Sequence, residues 1–182
     1  MPCHRLESER LILRPPEWSD VPAMLPLIGE WEVARNLGTV PHPYAESDAR
    51  EFFDRRAERE RAGVADFTFA VTQKSDGAYL GGCGVHPRDN GETELGYWLG
   101  KPHWGRGYAT EAARAVARFA FAELALEWLI AGWFFDNPAS GRVLDKLGFV
   151  PAGEEQRDCR SRGAKVRCYM VRLSRQAFEA AA

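Results

Sequence analysis

The 182-residue sequence predicts an α/β fold built on a mixed sheet, and two observations carry that prediction. First, three runs between residues 67 and 99 have the period of two of β-strands and are separated by turn residues, as in antiparallel hairpins. Second, a helical pattern over 108–124 stands between the third run and a near-continuous apolar run at 126–135, which is typical of a buried parallel strand. Hairpins followed by a strand–helix–strand crossover predict a sheet with both strand directions.

The N-terminal region predicts a strand and then a helix. The apolar run RLILR at 10–14 is a short strand that the pair Pro15–Pro16 ends. A helix begins near Ser19, a residue type that commonly caps helix N-termini. Its apolar stripe consists of Ala23, Met24, Leu27 and Ile28.

A loop and a charged helix follow. Residues 36–45 contain two prolines and a glycine that interrupt any period, which predicts a loop. Ser47 can cap a helix over 48–62, in which Phe52 and Phe53 form the buried side.

The central strands are predicted at 67–72, 79–86 and 92–99. In the third strand, alternation places two sets of side chains on opposite faces. One face carries Glu92, Glu94, Gly96 and Trp98, and the other carries Thr93, Leu95, Tyr97 and Leu99.

The C-terminal part predicts a helix over 138–147 that ends at Gly148, a suitable residue for the position after a helix. Two last strands, at 149–157 and 166–173, flank the polar stretch CRSRGA, and Ser174 can cap a short final helix.

Composition and charge argue against a nucleic-acid-binding, a secreted and a membrane-spanning protein. The net charge of −2 and the isoelectric point near 6.1 argue against a nucleic-acid-binding protein, whose binding face is usually basic. The N-terminus lacks the apolar core of a signal peptide. The most apolar segment, 119–135, contains Glu123 and Glu127 and falls short of the roughly 20 apolar residues of a membrane span. We expect one domain over 1–182, located in the cytoplasm and without a membrane partner.

The cysteines indicate neither a metal site nor an obligatory disulfide. The spacings of Cys3, Cys83, Cys159 and Cys168 match no zinc or CxxC pattern. Free thiols in a reducing compartment are the expectation, and a pair formed by Cys159 and Cys168 facing each other across a hairpin stays open as an alternative.

The stretch GKPHWGRGYATEA at 100–112 predicts a phosphate-binding loop. It places Gly105 and Gly107 just before a predicted helix start, where backbone N–H groups lack partners and the helix dipole is positive. Glycines let an anion approach those groups, and Arg106 could add a charge. An ordinary tight strand-to-helix turn is the alternative. The pattern is not a nucleotide P-loop, since it lacks Gly-Lys-Ser/Thr.

Taken with DNPASGRVLDKLGF at 136–149 and LESERLILRPP near the N-terminus, the stretch ELGYWLGKPHWGRGYATEA resembles the GCN5-related N-acetyltransferase (GNAT) superfamily and its RimJ/RimL-like branch. The resemblance implies a mixed, mostly antiparallel sheet with a splayed parallel strand pair and flanking helices. It also implies acetyl-CoA as acyl donor. One departure is Trp104, where the superfamily often has Gln or Arg.

The resemblance also implies where the cofactor binds. The pyrophosphate is expected on the backbone amides of Gly105, Arg106, Gly107, Tyr108, Ala109 and Thr110. The pantetheine arm is expected to pair with Tyr97, Trp98 and Leu99, where the strands carrying Leu99 and Gly132 splay apart. Asn137 matches the asparagine that contacts this arm.

Acetyl transfer to an amine requires removal of a proton, stabilisation of an oxyanion and protonation of a thiolate. For the base we predict Glu94, with Glu92 as the second choice and a solvated or arginine-paired carboxylate as the alternative. A glutamate found in some family members on the strand after the crossover is replaced by Gly132. A backbone N–H near Leu99 is the expected oxyanion donor.

For the acid, the family's usual tyrosine position is Leu144, so the resemblance points to Ser140, with helix capping as the alternative role. An N-acetyltransferase acting on a protein N-terminus or a small amine is the leading function. The rival is a catalytically inactive acyl-CoA-binding module.

No recognisable code specifies the acceptor, and the chain is expected to be a monomer or a homodimer. The segments expected to select the acceptor are Trp31, Arg35, Asn36, His42, Pro43, Tyr44 and the 156–165 loop.

Overall fold

A computed structural model describes residues 4–181 of the chain. Its elements in chain order are β1 Leu6–Glu7, β2 Leu11–Arg14, α1 Val21–Ile28, α2 Trp31–Ala34, α3 Glu46–Arg61, β3 Phe67–Gln73, β4 Tyr79–Pro87, β5 Thr93–Leu99, α4 Tyr108–Ala122, β6 Trp128–Phe134, α5 Pro138–Leu147, β7 Val150–Cys159, β8 Ala164–Ser174 and α6 Arg175–Ala180. Every helix among these residues is too short or too polar to cross a bilayer.

The eight strands form one sheet in the order β1-β2-β3-β4-β5-β6-β8-β7. All neighbouring strands are antiparallel except β5 and β6, whose single registered pair is Glu94 with Ile130. Beyond Glu94 these two parallel strands separate. The predicted α/β fold with a mostly antiparallel sheet and a splayed parallel pair is therefore confirmed.

Two layers of helices cover the sheet. Helices α4 and α5 pack on the face that presents Leu95 and Leu99, and this layer holds most of the core. Helices α1 and α3 cover part of the other face, where Met24 and Ile28 form a smaller cluster against Trp98. The face alternation predicted for β5 is confirmed, because Leu95, Leu99 and Trp98 pack into separate clusters as expected.

Of the three serines predicted to cap helices, Ser174 does so and Ser47 does not. Ser174 caps α6, since its hydroxyl accepts a hydrogen bond from the Ala177 N–H at 3.1 Å, as predicted. Ser47 is not a cap: α3 begins at Glu46, and the Asp48 side chain accepts from the Ala45 N–H at 2.8 Å.

The prediction for α1 was also wrong in detail. Ser19 lies inside a 3₁₀ turn, Trp18–Asp20, so it cannot cap the helix that starts at Val21. Ala23 is exposed, whereas Met24 and Ile28 are buried as expected. Phe52 and Phe53 were predicted to form the buried side of α3, but both are only half-buried. The fully buried residue of that helix is Ala49. Strand β1 and helix α2 have only two and four residues and were not predicted.

The cysteines with described positions are free and buried. Cys159 and Cys168 are not cross-strand partners, because Cys159 pairs with Ala164 and Cys168 pairs with Glu155 in the β7–β8 ladder. Cys3 lies outside the described residues.

Candidate active site

A cleft opens where β5 and β6 separate. The Gly100 N–H donates to the Leu80 carbonyl on β4. Because the backbone groups of successive strand residues point to alternate sides, the N–H and C=O of Leu99 and Tyr97 point the other way, toward the gap. The end of β5 therefore presents backbone donors and acceptors to the cleft, like the edge of a sheet.

The loop between β5 and α4 follows the cleft's edge. A 3₁₀ turn, Lys101–His103, leads to Trp104, whose indole N–H donates to the Leu99 carbonyl at 2.7 Å. The next glycines take left-handed backbone angles, with φ of 74° at Gly105 and 80° at Gly107. Side chains rarely adopt this conformation, which explains the two glycines in the sequence.

Among the residues that the structure describes, no side chain caps the start of helix α4. Its N-cap is Gly107, and the Glu111 N–H is the first to find an intrahelical partner, the Gly107 carbonyl at 3.1 Å. The N–H groups of Tyr108, Ala109 and Thr110 consequently have no helical acceptor. Together with the helix dipole they make the start of α4 a site of positive potential at the edge of the cleft.

Arg10, in the segment before β2, binds the loop between β5 and α4. Its guanidinium donates to the Arg106 carbonyl at 3.0 Å, pairs with Glu111 at 2.7 Å and stacks on the Tyr108 ring at 4.5 Å. Glu111 also accepts hydrogen bonds from the Ser8 hydroxyl and from the Arg10 N–H. Burial of Glu111 opposes its ionisation, but these hydrogen bonds outweigh it and lower the pKa of the carboxyl.

The opposite wall is the first turn of α5. Asn137 is its N-cap, and the side-chain Oδ1 accepts from the Ser140 N–H at 3.4 Å. Capping is therefore the role of Asn137 and not of Ser140. The Ser140 hydroxyl lies 2.9 Å from the Tyr97 hydroxyl, across the cleft. Leu144 is fully buried.

The cleft has a volume of about 310 Å³ and brings together ten of the predicted site residues. These are Tyr97, Trp98, Leu99, Gly105, Gly107, Tyr108, Ala109, Thr110, Asn137 and Ser140. Arg106 does not line it, because its side chain is exposed beyond the loop.

Glu94 lies outside the cleft lining, three residues before Tyr97, or about 10 Å along the strand. Both of its carboxylate oxygens accept from Arg157 on β7, at 2.5 and 3.2 Å, and Arg88 lies 3.8 Å away. Glu92 is farther from the cleft and pairs with Arg172 at 3.0 Å.

Several lining residues were not predicted. Asn36 was expected to select the acceptor and lines the cleft, but Val33 and Leu37 of α2 and the following loop were not predicted, nor were Arg142 and Lys146 of α5. The last two are four residues apart, so they share one face of the helix, a signal that the sequence does contain.

Helix α2 is tied to the tip of the β7–β8 hairpin. Asp136 accepts two bonds from Arg162, at 2.9 and 3.0 Å, and one from Arg35 at 2.5 Å. The Arg162 guanidinium is the main cause of a lowered pKa at Asp136. The Ser161 hydroxyl also donates to the Ala34 carbonyl at 2.9 Å. These bonds close one side of the region expected to meet the acceptor.

His86 lies in β4, in agreement with the predicted strand over 79–86, and its Nδ1 lies 2.5 Å from a carboxylate oxygen of Asp66. Trp128 of β6 is 53% exposed, and the Arg172 guanidinium lies over its ring.

The fold and the cleft together define a class of protein in which two parallel strands part beside the exposed N-terminus of a helix. A family model for the acetyltransferase (GNAT) domain matches residues 10–150. Because this match covers most of the chain, the protein belongs to the GNAT acetyltransferase family. It is an acyltransferase of a family that uses acetyl-CoA as co-substrate.

Relatives and solved structures agree with this assignment. The chain is similar to the uncharacterized N-acetyltransferase p20 of Bacillus licheniformis, with 28% identity over 95% of this chain and 97% of the relative. The uncharacterized N-acetyltransferase YoaA of Bacillus subtilis is 29% identical over 81% and 84% of the two chains. An acetyltransferase structure from Agrobacterium tumefaciens superposes with a TM-score of 0.76 at 26% identity, covering 96% of each chain.

Proposed function

We propose that the protein transfers the acetyl group of acetyl-CoA to a primary amine, which is a protein N-terminus or a small-molecule amine. The observation that carries the proposal is the uncapped start of α4 beside the open backbone edge of β5. A pyrophosphate would bind the N–H groups at the start of α4, and a pantetheine arm would pair with the β5 backbone groups that face the gap.

The walls of the cleft support the same orientation of the cofactor. Because Asn137 uses Oδ1 to cap α5, its Nδ2 is left as a donor for a carbonyl of the arm. The cations Arg142 and Lys146 line the cleft and suit the 3′-phosphate of the cofactor. Neither the Arg142 nor the Lys146 side chain has an ion-pair partner among residues 4–181.

Direct attack of the amine in a ternary complex is the proposed mechanism. No cysteine is among the described residues of the cleft lining, so none of these residues offers a thiol that could form an acetyl-enzyme. Burial raises the pKa of the Cys83 thiol, and it raises that of Cys168 to about 11. The nucleophilic thiolate is thus disfavoured at both positions. The Ser140 hydroxyl bonds to a tyrosine and not to a base.

The proposed proton transfers use Glu94 and Ser140. Glu94 would accept the amine proton through water, since about 10 Å of strand separates it from Tyr97. Ser140 would protonate the departing thiolate from the α5 wall. The Leu99 N–H, which points into the gap, is the proposed donor to the oxyanion.

A thiol-release assay with a panel of acceptors tests the proposal. The panel comprises peptides with different N-terminal residues, polyamines and aminoglycosides, with mass spectrometry to locate the acetyl group. Initial rates with both substrates varied should give intersecting lines, as direct transfer requires. Parallel lines would indicate an acetyl-enzyme and contradict the mechanism.

A second candidate function is an acyl-CoA-binding module without catalysis. The observation that favours it is the bidentate ion pair that occupies Glu94. Tight calorimetric binding of acetyl-CoA without thiol release for any acceptor would support this second function against the first.

A further inference from the structure

Tyr97 makes a contact across the cleft that the proposed cofactor binding does not use. Its hydroxyl lies 2.9 Å from the Ser140 hydroxyl and 2.9 Å from the Ser140 carbonyl. Tyr97 belongs to β5 and Ser140 to the first turn of α5, so these bonds join the two walls. The arm of the cofactor needs only the backbone of Tyr97, which leaves its phenol free for another role.

Two hydrogen-bond arrangements are available to the pair. A phenol has one proton, and a carbonyl can only accept. When Tyr97 donates to the carbonyl, the Ser140 hydroxyl donates to Tyr97 and its proton points away from the cleft. When Tyr97 donates to the Ser140 hydroxyl, the serine proton is free to turn toward a ligand.

Two features of the α5 wall favour the Ser140 hydroxyl as the proposed acid. This hydroxyl is not needed for capping, because Asn137 caps the helix. Leu144, at the usual tyrosine position, has no proton to give. Burial raises the pKa of Tyr97, so the phenol keeps its proton and can serve as a hydrogen-bond donor.

We propose that Tyr97 is a positioning residue that directs the Ser140 hydroxyl toward the sulfur of the departing thiolate. The inference rests on the proposed acetyl transfer. The amine nitrogen bonds to the thioester carbonyl carbon, and the C–S bond then breaks with its electron pair going to sulfur. The Ser140 proton moves to the sulfur while Tyr97 donates to the serine oxygen. The amine proton, which Glu94 accepts through water in the proposed mechanism, then returns to Ser140 through solvent.

The experiment is a double-mutant cycle of Tyr97→Phe and Ser140→Ala, with kcat, the KM for acetyl-CoA and calorimetric affinity measured for each. Tyr97→Phe should lower kcat up to about tenfold, the range for one hydrogen bond, and leave affinity unchanged. Ser140→Ala should lower kcat more. The double variant should match Ser140→Ala, because Tyr97 acts through Ser140.

Tyr79→Phe is the matched control. Tyr79 is a tyrosine of the neighbouring strand β4 that does not line the cleft, and burial raises its pKa as well. Its variant should retain wild-type kcat, which shows that loss of a covered phenolic hydroxyl does not by itself slow the reaction.

Each other outcome overturns the inference in a recognisable way. Equal losses of kcat and affinity in Tyr97→Phe would show that it only shapes the cleft, and additive losses would show that it acts independently of Ser140. An unchanged kcat in either single variant rejects the positioning role while acetyl transfer stands. A wild-type protein that binds acetyl-CoA but releases no thiol rejects the proposed function and this inference with it.

Discussion

Replacing Gly107 by alanine should weaken acetyl-CoA binding more than its effect on stability explains. Gly107 has φ of 80° and is the N-cap of α4. An L-residue in this conformation costs roughly 1–2 kcal/mol. Relaxing that strain would rotate the peptide that carries the Tyr108 N–H, the first donor of the proposed pyrophosphate site.

The size of the effect can be derived from the contacts. A Cβ at Gly107 would lie 3.4 Å from the Arg10 guanidinium, an ordinary distance to a flexible group, so strain and not a clash dominates. For a chain of this length, 1–2 kcal/mol lowers the Tm by about 2–8 °C. A hydrogen bond to a charged group contributes about 1.5–3 kcal/mol, so its loss should weaken binding by about tenfold to a hundredfold.

Gly77→Ala is the matched control for strain. Gly77 has φ of 74° in the β3–β4 turn, and a Cβ there would meet nothing within 4 Å. Thermal melts should show similar losses of Tm for both variants, and titration calorimetry should show weaker acetyl-CoA binding only for Gly107→Ala. Wild-type affinity in a folded Gly107→Ala or Gly107→Val protein would refute the placement of the pyrophosphate at α4.

Three further predictions address other parts of the site. Glu94→Gln should lower kcat by on the order of a hundredfold at neutral pH, with partial recovery at high pH, where the amine is already deprotonated. Glu92→Gln should leave kcat unchanged, and a pH–rate profile that is unchanged in both variants would assign the amine proton to solvent. Gly132→Ala should lower the Tm, because its Cβ would lie 2.8 Å from two sulfur atoms of β8 and overpacking costs about 1–3 kcal/mol, and a melt equal to wild type would contradict this. Neutralising Arg142 and Lys146 together should weaken the binding of acetyl-CoA several-fold, since an exposed ion pair contributes at most about 1 kcal/mol, and should leave the binding of acetyl-dephospho-CoA unchanged. Equal losses of affinity for both ligands would show that the 3′-phosphate does not bind to this face.

The elements with a strong local signal were predictable from the sequence. Helix α5 has the predicted bounds, since a proline begins it and Gly148, with φ of 90°, ends it. Strands β3, β4 and β5 agree to within one residue, because their alternation and turn residues are local. Helix starts were less predictable where a serine competed with a nearby acidic residue. Glu17 and Asp20 form the capping box at the 3₁₀ turn, and Ser19 only occupies a position inside it.

The part of the cleft lining that comes from β5, the following loop and α4 was predictable for the same reason. Its backbone groups come from one continuous stretch, β5 to α4, whose glycines mark the conformation that the chain needs there. What the sequence could not show is how side chains from distant segments bind those groups. Arg10 reaches the Arg106 carbonyl from 96 residues away, and Glu94 meets Arg157 across 63 residues. No local pattern specifies such pairs.

The acceptor side is the extreme case of this limit. The bonds that hold its wall join Arg162 to the Arg35 carbonyl and Ser161 to the Ala34 carbonyl, each across 127 residues. They fix the hairpin tip against α2 through backbone acceptors, which any residue type supplies. The wall's position therefore depends on the hairpin's arginine and serine, whereas the amine that it admits depends on the residues left facing the cleft, such as Val33 and Asn36. Substitutions in these two groups should have different effects on the acceptor panel. Loss of Arg162 should lower activity toward all acceptors, and exchange of Asn36 should change the order of preference among them.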